Sequence, residues 1–163
     1  MNNSTCDLCD PHRDAPDGAI RVLPPVWHSY GGVAAFAGRV VTVQCHDDNT
    51  PVKAAVESPG DGRVLVVDGG GSLRRALLGG NLAAAAAQNR WAGIVIDGCV
   101  RDVAELARCA IGVMALGTVP MPSVRRAAGL RDLAVQIQGV WVRPGDWLVA
   151  DADGIVVLDA PPG

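Results

Sequence analysis

The chain is short of aromatic residues, of charge and of lysine. Phenylalanine, tryptophan and tyrosine make up 4% of its 163 residues, charged residues 19%, and Lys53 is the lone lysine. With few rings to fill a core, packing falls to alanine, valine and glycine, small residues that let strands and helices approach closely. Sparse charge beside 49% apolar residues points to a well-buried α/β domain, or to subunits that bury surface against each other. No N-terminal stretch has the apolar segment of a secretory signal, and no apolar run reaches the roughly 18 residues of a membrane span. A cytoplasmic protein with no membrane partner is expected. A formal charge of −3 is wrong for gripping phosphates, so no direct nucleic-acid contact is expected. The arginine clusters Arg74–Arg75 and Arg125–Arg126–Arg131 read as solvated surface.

The cysteines exclude more than they offer. Cys6 and Cys9 form a CxxC, but a zinc site needs a second ligand pair. Cys45, Cys99 and Cys109 stand alone, mostly within apolar runs, and the histidines show no ligand spacing. Reduced cysteines of a cytosolic protein are the better reading.

What is present reads as one domain over residues 1–163, without repeat or linker. Residues 1–30 are polar and proline-rich, a short helix plus an extended arm. Phe36–His46 alternates as a strand. "PVKAAVESPG" is a short helix stopped by Pro59–Gly60. Val64–Asp68 is a buried strand running into a glycine turn. "LRRALLGGNLAAAAAQNRW" reads as helix broken at Gly79–Gly80. "AGIVIDG" is a second buried strand, "DVAELARCA" a short helix and "IGVMALGTV" a third strand. From "LAVQIQ" onward the pattern alternates, with turns at Arg143–Asp146 and Asp151–Gly154, as in an antiparallel meander. The centre is then βαβαβ with a parallel sheet.

Parallel strands present ligands at their carboxyl ends. Two such ends occur, "VVDGGGS" and "VIDGCVRD". The first lacks GxGxxG, because Arg74 stands where the third glycine belongs, and it lacks the Lys–Ser/Thr of a P-loop. A tight strand-to-helix turn is the better reading there. Around Gly79, Gly80, Asn81 and Leu82 the backbone amides would point from a helix start, a site suited to a carboxylate, unless the glycines mark a simple kink. Arg101 offers a planar fork for a carboxylate or 2-oxo acid. Asp102 is a hard oxygen ligand for hydrated Mg²⁺ or Mn²⁺, and Glu105 lies one turn on. The plain alternative is that Asp102 caps a helix and Arg101 makes a surface pair.

The stretch "VLVVDGGGSLRRALLGGNLAAAAAQNRWAGIVIDGCVRD" resembles the central block of the RraA-like family. That family groups regulators of ribonuclease E activity with 4-hydroxy-4-methyl-2-oxoglutarate aldolases. The likeness extends to "FAGRVVTVQCHDDN", "IGVMALGTVP" and "GVWVRPGDWLVADADGIVVL", nearly the whole chain. It implies a three-layer β/β/α swivelling-type domain with a central parallel βαβ core and an antiparallel C-terminal meander, assembled as a homotrimer with sites near subunit interfaces. In its aldolases, helix-start amides, an arginine and a metal-bearing aspartate hold pyruvate. Those roles fall here on Gly79, Gly80, Asn81 and Leu82, on Arg101, and on Asp102.

The resemblance implies a divalent-metal-dependent pyruvate lyase. It would cleave 4-hydroxy-4-methyl-2-oxoglutarate by retro-aldol chemistry, decarboxylate oxaloacetate, or both, through the enolate of pyruvate. Arg101 and the amides would hold the substrate, and the metal on Asp102 would polarise its keto oxygen. No lysine is expected at the site, Lys53 being the lone one in the chain, so a Schiff-base route is not expected. Two departures stand out. Aldolases of the family carry an acid where this chain has Gly80, and many carry a tail that brings a glutamate to a neighbour's site, whereas this chain stops at "LDAPPG". Glu105 is expected to supply part of what Gly80 lacks. The alternative function is a non-catalytic trimeric regulator that binds and inhibits a ribonuclease E-type partner.

Overall fold

The computed structural model describes residues 3–163. Helix α1 (Thr5–Cys9) starts in a reciprocal capping box between Ser4 and Asp7. Two short strands follow, β1 (Arg21–Val22) and β2 (His28–Ser29). The parallel core is β3 (Phe36–Gln44), β4 (Val64–Leu78), β5 (Gly93–Val100) and β6 (Gly112–Thr118). Helix α2 (Thr50–Val56) connects β3 to β4, α3 (Gly80–Gln88) connects β4 to β5, and α4 (Val103–Leu106) connects β5 to β6. The chain then forms β7 (Leu130–Arg131), β8 (Val135–Ile137), β9 (Val140–Val142), β10 (Trp147–Ala150) and β11 (Ile155–Leu158). The main sheet runs β1-β11-β10-β3-β4-β5-β6-β2, with β7 also on β3.

Alternation along the central strands makes the layers. Leu65 and Val67 of β4, with Ile94 and Ile96 of β5, face a core shared with α2 and α3. Val64, Val66 and Val95, the residues between them, face a second core shared with the β8–β9 hairpin. Sheet, helices and hairpin are the three expected layers. Each fully buried isoleucine or leucine contributes roughly 1.5–3 kcal/mol. The ring of Phe36 in the second core needs two glycines. A Cβ would fall 2.2 Å from it at Gly93 and 2.0 Å from it at Gly112.

Two expectations need correction. Residues Leu73–Leu78 are not helix. They belong to β4, which continues past the glycines and returns to its neighbour through irregular pairs, Ser72 with Gly98, Ala76 with Cys99 and Leu78 with Val100. Gly70 and Gly71 supply the positive φ of +67° and +69° that the excursion needs. Tertiary pairing overrides the helix propensity of "LRRALL". The C-terminal meander is also divided. β8 and β9 make a sheet of their own, while the β10–β11 hairpin joins the main sheet against β3 and β1.

Candidate functional site

The ends of β4 and β5 lie side by side, because Leu78 pairs with Val100 and the Arg101 amide donates to the Leu78 carbonyl at 3.0 Å. The strand-to-helix junctions Gly79–Gly80 and Arg101–Asp102 therefore meet. Asp102 takes a left-handed backbone, φ 60° and ψ 46°, at the start of α4. That conformation is tolerated by aspartate at a cost of about 1 kcal/mol or more. It turns the carboxylate back across the junction, where Oδ2 accepts the Gly80 amide at 3.0 Å. Gly79 must lack a side chain, since a Cβ there would come 2.7 Å from Asp102 Oδ2. Gly80 is thus spent on Asp102, and Ala83 donates to Gly79 at 3.0 Å. The amides of Asn81 and Leu82 remain as the first-turn donors without an intrahelical partner.

These groups border a cavity of about 490 Å³, lined by Gly79, Asn81, Leu82, Arg101 and Asp102. Arg101 is half-buried, and its Nη1 lies 3.4 Å from the Pro120 carbonyl. Every predicted site residue but Gly80 reaches the cavity. Gly80 is buried beneath it, inside α3 and without positive φ. A Cβ on Gly80 would come 1.9 Å from Glu105 Oε2, so the glutamate already fills the space an acid at position 80 would use. Gly79–Gly80 is a strand-to-helix joint rather than a break within one helix.

A second wall was not legible as part of the site. Asn49, Lys53 and Glu57 line it from α2, and Pro122, Ser123 and Arg125 from the segment after β6. Lys53 therefore stands at the site after all. Its ammonium is ion-paired to Glu57 and is not presented as a free amine. Arg125, read as solvated surface, faces the cavity, and Arg74 is ion-paired to Asp47 at 2.7 Å. The segment is placed by backbone bonds. Ala76 donates to the Met121 carbonyl at 2.8 Å, and Ser123 Oγ donates to the Ala76 carbonyl at 2.8 Å. Asp48 ties it to the start of α2, accepting from the amides of Arg126 and Ala128 and from both the amide and hydroxyl of Thr50. Burial pushes the Asp48 carboxyl up, but these bonds outweigh it and hold it at about 2. A signal for this wall existed in "DDNTP", an acid and an asparagine before a helix-start proline, though nothing in it pointed to Arg125.

Of the two carboxylates that line the cavity, Glu57 is paired to Lys53 and Asp102 is left to a divalent cation. Asp102 Oδ2 is engaged with Gly80, while Oδ1 has no hydrogen-bond partner among the described residues. No cluster of three or more histidine, cysteine, aspartate or glutamate side chains suits a metal among the described residues. One free carboxylate oxygen fits Mg²⁺, which keeps several waters and borrows ligands from its substrate.

A family profile described as Aldolase/RraA matches residues 5–157. A protein of Albidiferax ferrireducens, provisionally named 4-hydroxy-4-methyl-2-oxoglutarate aldolase, is 64% identical over 94% of each chain. The RNA-processing inhibitor RraA from Thermus thermophilis superposes with a TM-score of 0.93 at 45% identity, over 100% of this chain and 96% of that one. A Geobacillus kaustophilus structure described as an S-adenosylmethionine:2-dimethylmenaquinone methyltransferase superposes at 0.90 with 44% identity, over 97% and 96%. The three names disagree about activity, while the two solved structures share this chain's fold. With the profile spanning all but the chain's ends and the β/β/α layers in place, this protein belongs to the RraA-like family.

Proposed function

We propose that the chain is a pyruvate lyase acting on small 2-oxo acids, by retro-aldol cleavage of 4-hydroxy-4-methyl-2-oxoglutarate, by decarboxylation of oxaloacetate, or by both. The observation that carries this is the pairing of Arg101 with a left-handed Asp102 beside the start of α3, in one cavity. Arg101 holds the carboxylate next to the keto group through two parallel N–H bonds, and the Asn81 and Leu82 amides add donors. Asp102 would hold Mg²⁺ or Mn²⁺, which when bound supplies Lewis acidity at the keto oxygen. In either reaction the C3–C4 bond breaks and its electron pair moves into the enolate of pyruvate. The other fragment leaves as a second pyruvate, once the C4 hydroxyl has lost its proton, or as carbon dioxide. A proton returned to C3 completes the product. Glu105, whose carboxylate fills the space beside Gly80, would exchange that proton through water.

The test is pyruvate release from both acids, with Mg²⁺ and with chelator. Release that depends on the metal and vanishes in Asp102→Asn is expected. Undiminished release in excess chelator overturns the metal role. Likeness to the Thermus inhibitor favours a second reading, a regulator that binds a ribonuclease E-type partner. A chain without lyase activity that inhibits such a ribonuclease, equally well as Asp102→Asn, decides for it.

A further inference from the structure

Cys6 and Cys9 form a motif that neither the fold nor the cavity has absorbed. They sit three apart on α1 and so share a face of the helix. Helical geometry puts their Cα atoms about 5 Å apart, inside the span that a disulfide bridges. Cys6 is exposed and Cys9 half-buried. No other cysteine competes for either. Cys45 and Cys99 are buried, and Cys109 packs against the core shared with α2 and α3, whereas Cys9 packs against Leu8, Val149, Val156 and Leu158. Among the described residues no third side chain joins the pair to hold a metal. Helix α1 is anchored without the thiols. Asp151 accepts from both the amide and the hydroxyl of Thr5, at 2.8 and 2.7 Å, and Leu8 is buried beneath the helix. Carboxylates surround the pair. The charge of Asp153, then burial, then Asp151 and Asp10 push the Cys6 thiol up. Burial, then Asp10 and Asp151, push up that of Cys9. The face that the two sulfurs share is therefore electronegative, and both rest as neutral thiols at pH 7.

We infer that Cys6 and Cys9 are a redox-active dithiol, which closes to a disulfide within α1 by exchange with a small cationic disulfide. Cys6, the exposed thiol, loses its proton and attacks one sulfur of the co-reactant, whose other half leaves as a thiolate. Cys9 then loses its proton, attacks Cys6 Sγ and expels the second half. Two cysteine thiols are oxidised to one disulfide, and the co-reactant is reduced to two thiols, which take up the two protons. The surrounding acids select the co-reactant. A positively charged disulfide is drawn to the exposed sulfur and an anionic one is held off, within the roughly 10 Å over which charges act at about 0.1 M salt. The closed disulfide is uncharged, so the carboxylates that oppose either thiolate do not oppose the product. This chemistry is separate from that at Arg101, since no residue of α1 lines the cavity there.

The test is incubation of the full chain with cystamine, a disulfide with an ammonium group at each end, followed by intact-mass measurement and peptide mapping. Wild type should lose the mass of two hydrogens, with the new bond mapped between Cys6 and Cys9 and reversed by a reducing dithiol. Cys9→Ser should stop at a cysteamine adduct on Cys6, and Cys6→Ser should form no disulfide within the chain. Serine is close to cysteine in size and leaves the Thr5 and Leu8 anchors of α1 in place. A lasting adduct on wild type, or the same loss of two hydrogens in either variant, overturns the pair. A second arm reads the charge. The rate with cystamine divided by the rate with glutathione disulfide, an anion at pH 7, should exceed the same ratio for a blocked, uncharged cysteine by about threefold or more. Asp153→Asn should bring that excess down. A wild-type ratio equal to that of the blocked cysteine, or one that Asp153→Asn leaves unmoved, overturns the selection of a cationic partner.

Discussion

Asp102 holds two constraints in one residue, a backbone that most side chains avoid and a carboxylate that must stay open on one oxygen. Asparagine satisfies the first as well as aspartate does, since both tolerate the left-handed region. Asp102→Asn should therefore keep the thermal midpoint close to wild type while pyruvate release falls to background, a split that denaturation and kinetics together will show. Arg101 calls for a different substitution. Lysine keeps the charge but loses the planar fork, so Arg101→Lys should cost on the order of 1.5–3 kcal/mol in kcat/KM. Kinetics equal to wild type would remove Arg101 from the clamp. Gly80 is the residue where sequence and structure part most usefully. Its backbone is helical, so Gly80→Asp is not barred by φ, but the new side chain meets Glu105. The single variant must push Glu105 aside and crowds two carboxylates. Gly80→Asp/Glu105→Ala relieves both effects, and its ratio of aldol cleavage to decarboxylation should exceed that of Gly80→Asp alone. An unchanged ratio would mean that the two carboxylates do not share one role.

At the scale of elements, the legible parts were those whose burial repeats with a short period. β3, β5 and β6 were readable because apolar runs bounded by turns leave few alternatives. β4 was readable only to Asp68. Beyond it "LRRALLGGN" has helical propensity, and the pairs that make it a strand lie far away in the chain, at Gly98, Cys99 and Pro122. The site divided in the same way. Arg101, Asp102 and the amides after Gly79 sit where two strands end, which sequence can locate. Asn49, Lys53 and Arg125 reach the cavity by packing, which sequence cannot locate. Glycines in strands were silent for a similar reason. Gly112 reads as a weak point in β6, yet it is where the Phe36 ring lies. Gly112→Ala should lower stability by about 1–3 kcal/mol, the usual cost of overpacking, as measured by urea denaturation. A neutral effect would mean that the ring has room to move.

For the whole molecule, composition points outward. Leu73, Met121 and Leu130 are 62%, 52% and 56% exposed, large apolar side chains on a chain with few charges to keep copies apart. A homotrimer that buries such surface is the expected assembly, and light scattering at micromolar concentration checks it. A monomer there would also argue against a site shared between subunits. No helix of the described residues is long and apolar enough to cross a membrane. Acid should loosen the fold through Asp48. Its folded value of about 2 lies below the ordinary 3.8, so its stabilising contribution is complete above 3.8 and is lost as pH falls toward 2. Asp48→Asn should melt below wild type at pH 7, and the gap should close as pH approaches 2. A gap that stays constant with pH would place the effect in packing rather than charge.

β4 advances ten positions from Asp68 to Leu78 while β5 advances three, from Asp97 to Val100. The two strands are in register before the excursion and beside each other again after it, so neither the sheet nor the cavity measures its length. Insertions and deletions on either side of the Ser72–Gly98 pair can accumulate as they do in a surface loop. The three residues of β5 have no such slack. One residue inserted between Cys99 and Arg101 would turn the guanidinium to the other face of the sheet. Two neighbouring strands that end at the same place are thus open to very different kinds of inherited change.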